Sequence, residues 1–512
     1  MGHTPNDRPD SCWSSLKRRT FAMRGAALLA SASVRAAPPA QDDTTPSAAA
    51  LRADADLVQR AYEALHPGLY RYNSPAQMQA HFDVLRRELA DATLRGDWQA
   101  NAYLALTRLT AKIRCGHTYA NFYNQSDAVQ RRLFQGTNRL PCEFRWLSGH
   151  MVVTRDLSAE QCLPRGTTIT AIADVPAPSL LRRLMPIVRA DGANDDKRIA
   201  LLELQGLDKF ETFDLLLALT LPDLAQGIPL QTLRPDGSTR RVLVRPLTFA
   251  QRLAARHVAA SDERAGWRFD MTDPDIAVLR MPDWALYDSH WNWKAFIADS
   301  FAQLAAAPKR ALVIDLRGNE GGLDVGDELL PFLAAQPIEV AVAPRRVRYR
   351  DVPADLDPFL DTWDPSFRHW GDDARRVDER FFDLHSDSEP AGRTTIAPRG
   401  PRFAGKVFVL IGPDNSSATF QFAERVRSAR LGTLVGRPTG GNLRGINGGA
   451  FFFLRLPASR LEVDVPLIAR FPSGLLPDAG LAPDVRVAES IDDLRNGRDV
   501  EMATVRTLLM PA

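Results

Sequence analysis

A chain of 512 residues is too long for one hydrophobic core and calls for two or three domains. Its composition, 45% hydrophobic and 25% charged, is that of a folded globular protein and excludes a disordered or fibrous one. With 64 basic against 62 acidic residues the formal net charge is +2, so charge gives no case for nucleic acid or an acidic membrane as partner.

Residues 1–36 read as an export signal. Lys17, Arg18, Arg19, Thr20 and Phe21 precede a short apolar run (26–34), and Val34-Arg35-Ala36 offers a small-residue cleavage site. The paired arginines with Phe21 resemble a twin-arginine signal, which would place the mature chain in the periplasm or outside the cell; an amphipathic or disordered leader is the alternative. The run is too short to span a bilayer, and no other stretch does better. Cys12 would leave with the leader. Cys142 and Cys162 flank a predicted hairpin region and are candidates for a disulfide, leaving Cys115 unpaired, although a buried thiol is the ordinary state of each. No CxxC pair or HExxH motif is present, so no metal or other cofactor is implied.

After a Pro/Ala/Asp-rich linker (37–48), residues 49–120 show helical apolar spacing and predict a helical domain. Its last helix (97–114) is expected to stop at Gly116 in Cys115-Gly116-His117-Thr118-Tyr119. Residues 136–248 begin with short alternating runs (142–146, 150–155, 166–172). A helix (177–188), a helical insertion (194–221) and a closing hairpin around Pro235-Asp236-Gly237 follow. The order resembles a PDZ-like module, of a kind that binds extended peptide ends, and a structural β-domain is the other reading.

From residue 265 to 512 the pattern is α/β. Strands are predicted at 276–281, 311–316, 339–342, 407–411 and 433–435, with helices at 291–307, 326–334 and 417–430. A polar and aromatic excursion (349–399) reads as a surface insertion or a lid. Two segments concentrate the chemistry: 310–323 (RALVIDLRGNEGGL) and 406–423 (KVFVLIGPDNSSATFQFA). Each is an apolar strand that breaks into a turn, and in a covered α/β sheet such turns gather at the strands' carboxyl ends. The glycines Gly318, Gly321 and Gly322 let backbone N–H groups approach a ligand. Ser417 lies where a helix begins, beside the N–H of Ala418. The pair suits the nucleophile and oxyanion hole of a serine hydrolase, and an ordinary pair of parallel strands with glycine turns is the competing reading.

In their order, CGHT, the PDZ-like module, VIDLRGNEGG, NSSAT, LVGRPTGG and GLAPDVRV resemble the tail-specific (C-terminal-processing) proteases and the tricorn protease core. The resemblance implies a ClpP/crotonase-like α/β core beside the helical domain and the PDZ-like β-rich module. It implies Ser417 as nucleophile, with Ser416 as the neighbouring alternative. One branch of the family uses a lysine about 25 residues downstream, near Asn442, but the last lysine here is Lys406. The tricorn-like branch uses a histidine at the end of the helical domain, which maps to His117 as general base; that branch has serine where this chain has Gly116. Asp478 is the candidate third catalytic group. Gly321 or Gly322, with Ala418, are the expected oxyanion donors, and Gly440 and Gly441 would let a loop pass the substrate backbone. Asp315, Arg317 and Asp484 are expected to brace turns. The function implied is an exported serine peptidase acting on protein or peptide substrates, with a non-catalytic peptide- or lipid-binding protein on the same scaffold, or an esterase, as alternatives.

Overall fold

A computed structural model describes residues 45–94, 96–258, 262–287, 289–385 and 392–510. The export signal, Cys12 and most of the linker lie outside the described residues.

Three helices open the described chain: Ala48–Leu65, Pro75–Asp91 and Trp98–Ile113. Their starts are encoded locally. Ser47 accepts from the Ala50 N–H, Ser74 and Gln77 form a capping box with Pro75 in the first turn, and Asp97 accepts from Gln99 and Ala100. Leu51, Ala55, Val58, Tyr62 and Leu65 recur every three or four residues and form one buried face. The third helix ends at Arg114, which adopts the left-handed conformation (φ +62°), and not at Gly116. Gly116 is needed for space instead, because a Cβ there would lie 2.8 Å from Asp191 Oδ2.

An antiparallel sheet follows, running in spatial order Cys142–Leu147, His150–Asp156, Thr168–Ile172, Ile228–Leu233, Thr239–Val244. The helices Ala177–Leu184, Asp195–Leu201 and Thr212–Thr220 accompany it, and Leu180, Leu184, Phe213 and Leu217 share a core with Phe144, Ile169 and Leu230. Cys142 and Cys162 are free thiols, so the expected bridge is not formed. Cys142 is buried on a strand opposite Asp156, while Cys162 lies partly exposed in the loop beyond the neighbouring strand.

The third region holds a six-stranded sheet in the order Val485–Arg486, Thr433–Gly436, Lys406–Ile411, Ala311–Asp315, Ile276–Arg280, Arg268–Asp270. It is parallel except for its last pair. All five residues of Ala311–Asp315 are buried because both faces are covered. Leu312 and Ile314 meet the helices Trp293–Ala306, Val325–Leu333 and Ser417–Ser428, and Val313 meets the C-terminal helix Val500–Leu509.

The strand Ile338–Val342 does not extend this sheet. It pairs with Gly392–Ile396 as a separate ribbon. The excursion at 349–399 is likewise not a surface appendage. With Arg345–Val347, its strands Leu360–Asp361, Ala374–Arg376 and Phe382–Leu384 join Asn447–Arg455 and Glu462–Arg470 in a further sheet. Tyr349, Leu356, Leu360 and Leu384 share one core with Phe452, Val465 and the N-terminal helices. The polar composition of the excursion hid these spaced apolar anchors.

Candidate active site

The strands Ala311–Asp315 and Lys406–Ile411 are hydrogen-bond neighbours in parallel register, so the turns that leave them arise side by side. Buried amides lock these turns together. Asn415 donates through Nδ2 to the carbonyls of Leu316 (2.7 Å) and Asn319 (3.0 Å), and its Oδ1 accepts from the Gly412 N–H at 2.7 Å. Asn319 donates to the Met281 carbonyl at 2.7 Å and accepts the Gly321 N–H at 2.9 Å. Thr419 adds a bond to the Asn319 carbonyl at 3.2 Å. With Asn319, Asn415 and Thr419 fully buried, each satisfied bond also avoids the cost of an unpaired buried polar group.

Ser417 stands at the tip of this assembly with φ +51°, a left-handed conformation that costs a non-glycine residue about 1–2 kcal/mol. Its hydroxyl has no hydrogen-bond partner among the described residues, whereas Ser416 donates its hydroxyl to the Glu320 carbonyl at 3.0 Å. The two serines are thereby distinguished: Ser416 ties the turn to the glycine loop and Ser417 is unencumbered. Gly321 is pressed against them. A Cβ at that position would lie 2.8 Å from the Ser416 carbonyl oxygen, 2.9 Å from Ser417 Cβ and 3.0 Å from the Ala418 nitrogen. Of the three expected oxyanion donors, Gly321 gives its N–H to Asn319. The N–H groups of Gly322 and Ala418 carry no hydrogen bond among the described residues.

His117 is held in the loop after the third helix, beside Gly448 and Phe451; its ring centroid lies 6.0 Å from that of Phe451. Its Nδ1 is buried without a hydrogen-bond partner, and among the described residues no hydrogen bond joins the ring to Ser417. Burial pushes His117 below its ordinary value. Asp191 and Glu320 oppose that, and Arg189 and Lys197 reinforce it. The imidazole is therefore neutral, and able to accept a proton, through the neutral pH range.

Asp478 does not meet His117. Its carboxylate takes the Arg114 guanidinium (2.5 Å), the Ala193 N–H (2.9 Å) and Asn442 Nδ2 (2.8 Å), which together outweigh the effect of burial and hold it below its usual range. Asn442, where a dyad lysine would fall, is thus a partner of Asp478. Asp315 and Arg317 pair at 2.8 Å and Asp484 accepts the Leu434 N–H at 2.8 Å, bracing the ends of the sheet. Gly440 and Gly441 give their N–H groups to the Asn415 carbonyl, and so secure the following loop to the Ser416–Ser417 turn.

Several residues of the site escape a reading by motif. Asn319 and Asn415 sit inside the motifs, and their signal is the turn preference of asparagine after a strand. Arg189, Asp191, Asn194 and Lys197 lie in 189–197 (RADGANDDK), a charged stretch that carries no motif. Asn194 Nδ2 donates to the Thr439 and Gly441 carbonyls, at 2.8 and 3.1 Å.

A serine hydroxyl without a partner among the described residues, on a left-handed turn with open backbone donors beside it, suits a serine-type peptidase. Residues 275–449 match the model of peptidase family S41. Its fold is similar to that of mature CPAF complexed with lactacystin, at 14% identity and a TM-score of 0.60 over 90% of this chain and 97% of that one. Mature CPAF alone gives 14% identity and a TM-score of 0.55, covering 88% and 94%. No curated protein matches the sequence. The substrate of such an enzyme is a protein or peptide, and no helix among the described residues is long and apolar enough to cross a membrane.

Proposed function

We propose that this peptidase cleaves through an acyl-enzyme on Ser417 with His117 as general base. The observation that carries this reading is the contrast between Ser416, whose hydroxyl is committed, and Ser417, whose hydroxyl is free on a left-handed turn against Gly321. Ser417 Oγ attacks the peptide carbonyl carbon as its proton passes to His117, and the resulting oxyanion takes the N–H groups of Gly322 and Ala418. As the C–N bond breaks, His117 returns the proton to the leaving amine. Water, deprotonated by His117, then releases the acyl group as a carboxylic acid and restores Ser417. General-base transfer requires the two side chains within about 2.6–3.2 Å of each other in the substrate complex. Asp478 serves in this scheme as a loop anchor, and Asp191 and Glu320 are the carboxylates whose charge bears on the ring.

The same reading takes the parallel sheet as a ClpP/crotonase-like core, the antiparallel domain as a PDZ-like module for peptide ends, and residues 1–36 as a leader that delivers the enzyme to the periplasm or medium. Ser417→Ala is expected to abolish peptide hydrolysis and labelling by a serine-directed fluorophosphonate with the melting profile unchanged; persistent labelling would move the nucleophile elsewhere. Cell fractionation with N-terminal sequencing of the mature protein tests export, and an intact leader on cytoplasmic enzyme would refute it.

A further inference from the structure

Two cations from the antiparallel domain enter the peptidase centre. Arg189 is a two-pronged bridge: Nη1 donates to the Gly116 carbonyl and Nη2 to Glu320 Oε2, each at 2.9 Å, while its guanidinium lies 4.5 Å from the centre of the Tyr119 ring. It thus joins the residues on both sides of His117 to the glycine loop. Lys197, 1% exposed on the helix Asp195–Leu201, holds the other carboxylate oxygen of Glu320 at 3.2 Å and donates to the Asp414 carbonyl at 3.0 Å. Glu320 in turn accepts the Ser416 hydroxyl on its own backbone carbonyl. One carboxylate therefore connects the histidine loop, the glycine loop and the nucleophile turn, and both of its cations come from outside the α/β core.

We propose that Glu320, gripped by Arg189 and Lys197, is a positioning residue of the peptidase: it sets the spacing between the His117 loop and the Ser417 turn and tunes the base by its charge. A bridge of this kind is costly to bury unless every member is satisfied, and here each is: burial pushes the Glu320 carboxyl up, but Lys197 and Arg189 outweigh it and bring it down to about 2. The charged groups that act on His117 are Asp191, Arg189, Glu320 and Lys197, drawn from the segment after the helix Ala177–Leu184, the helix Asp195–Leu201 and the glycine loop. Neutralising Glu320 removes an anion and favours the neutral imidazole. Neutralising Lys197 removes a cation and favours the protonated one.

The inference rests on the Ser417–His117 mechanism, and its test separates the two. The fluorophosphonate labelling rate is measured from acid to neutral pH for the full chain and for Glu320→Gln, Lys197→Met, Arg189→Lys and Ser417→Ala. The acid limb is expected to move to lower pH in Glu320→Gln and to higher pH in Lys197→Met, each by about half a unit or more. Arg189→Lys keeps the charge but loses the two-pronged bridge. It should leave the limb in place and lower the plateau rate about tenfold or more. General loosening of the fold cannot shift two variants in opposite directions. If Glu320→Gln fails to fold, Lys197→Met and Arg189→Lys still decide. Limbs that coincide with the unmodified enzyme, or move the same way, would overturn the inference while leaving the mechanism standing. Undiminished labelling of Ser417→Ala would overturn both.

Discussion

Replacing Ser417 by glycine tests whether the proposed nucleophile is held under backbone strain. With φ at +51°, Ser417 bears a cost of about 1–2 kcal/mol that glycine does not. Against this gain, glycine enlarges the conformational freedom of the unfolded chain, which costs about 0.4–1 kcal/mol. Removing the hydroxyl adds no further loss, because it has no hydrogen-bond partner among the described residues. Ser417→Gly should therefore be more stable than the natural chain by about 0.5–1 kcal/mol. Ser417→Ala, which keeps a Cβ and the strain, should be unchanged within about 0.5 kcal/mol. For a unit of this size that difference is a rise of roughly 1–4 °C in melting temperature, read by differential scanning fluorimetry on the inactive pair side by side. A Ser417→Gly variant no more stable than Ser417→Ala would show that the left-handed turn carries no strain, and would refute the reading of this position as one held for function.

Gly321→Ala should abolish labelling of Ser417 because the new methyl group meets the Ser416 carbonyl at 2.8 Å and the nucleophile's own Cβ at 2.9 Å; a fluorophosphonate rate within tenfold of the natural enzyme would contradict the packing. Gly116→Ser should destabilise the chain by about 1–3 kcal/mol, since its Cβ displaces Asp191 from the Gly116 N–H; an unchanged urea midpoint would count against this. His66 accepts the Gly68 N–H on Nδ1, so Nε2 carries the proton and donates to Thr118 Oγ1 at 2.7 Å. Burial, with Arg71 adding to it, lowers His66 from 6.5 to about 3. The unfolded chain alone takes up this proton as pH falls from 6.5 towards 3, so the associated stability is complete above 6.5 and is lost across that window, on the order of 5 kcal/mol in all. The stability difference between the natural chain and His66→Gln, followed by urea titration, should shrink over that range, and a constant difference would show that His66 is not held neutral.

The parts of this site legible in the sequence are those whose physics is local. Ala311–Asp315 and Lys406–Ile411 are apolar because both faces of the sheet are covered, and glycine is required where Gly321 lies under 3 Å from the nucleophile turn. The helical domain was readable for the same reason, through the regular apolar spacing that becomes its buried face. The excursion at 349–399 was misread because its anchors, Leu356, Leu360 and Leu384, are too widely spaced for any local period and are buried only when the N-terminal helices arrive. The partners of Asp478 were hidden on similar grounds. Proximity to a closing glycine turn said nothing of Arg114, Ala193 and Asn442, which converge on it from three distant segments.

The stretch 189–197 shows how far such convergence extends. Its charges give no sign of burial, yet Lys197 is 1% exposed because the antiparallel domain packs over the ends of the core strands, where Glu320 and the Asp414 carbonyl await a cation. Gly192 in the same stretch has φ +61°, and a Cβ there would fall 2.0 Å from Asp478 Oδ1 and 2.2 Å from Asn442 Nδ2. The chain can therefore pass between the histidine loop and the Asp478 loop only as glycine. Each contact of this stretch ends on a different loop of the centre: Gly116 from Arg189 and Asp191, Glu320 from Arg189 and Lys197, Thr439 and Gly441 from Asn194, and Asp478 from Ala193. The C-terminal region also holds the His117 loop directly: the Asp464 N–H donates to the Tyr119 carbonyl at 3.0 Å and Asn447 Nδ2 to Cys115 Sγ at 3.1 Å. The segment 189–197 adds the links that run from this loop to Glu320 and Asp478, so under the positioning role proposed for Glu320 a displacement of the antiparallel domain would be felt at Ser417 and His117.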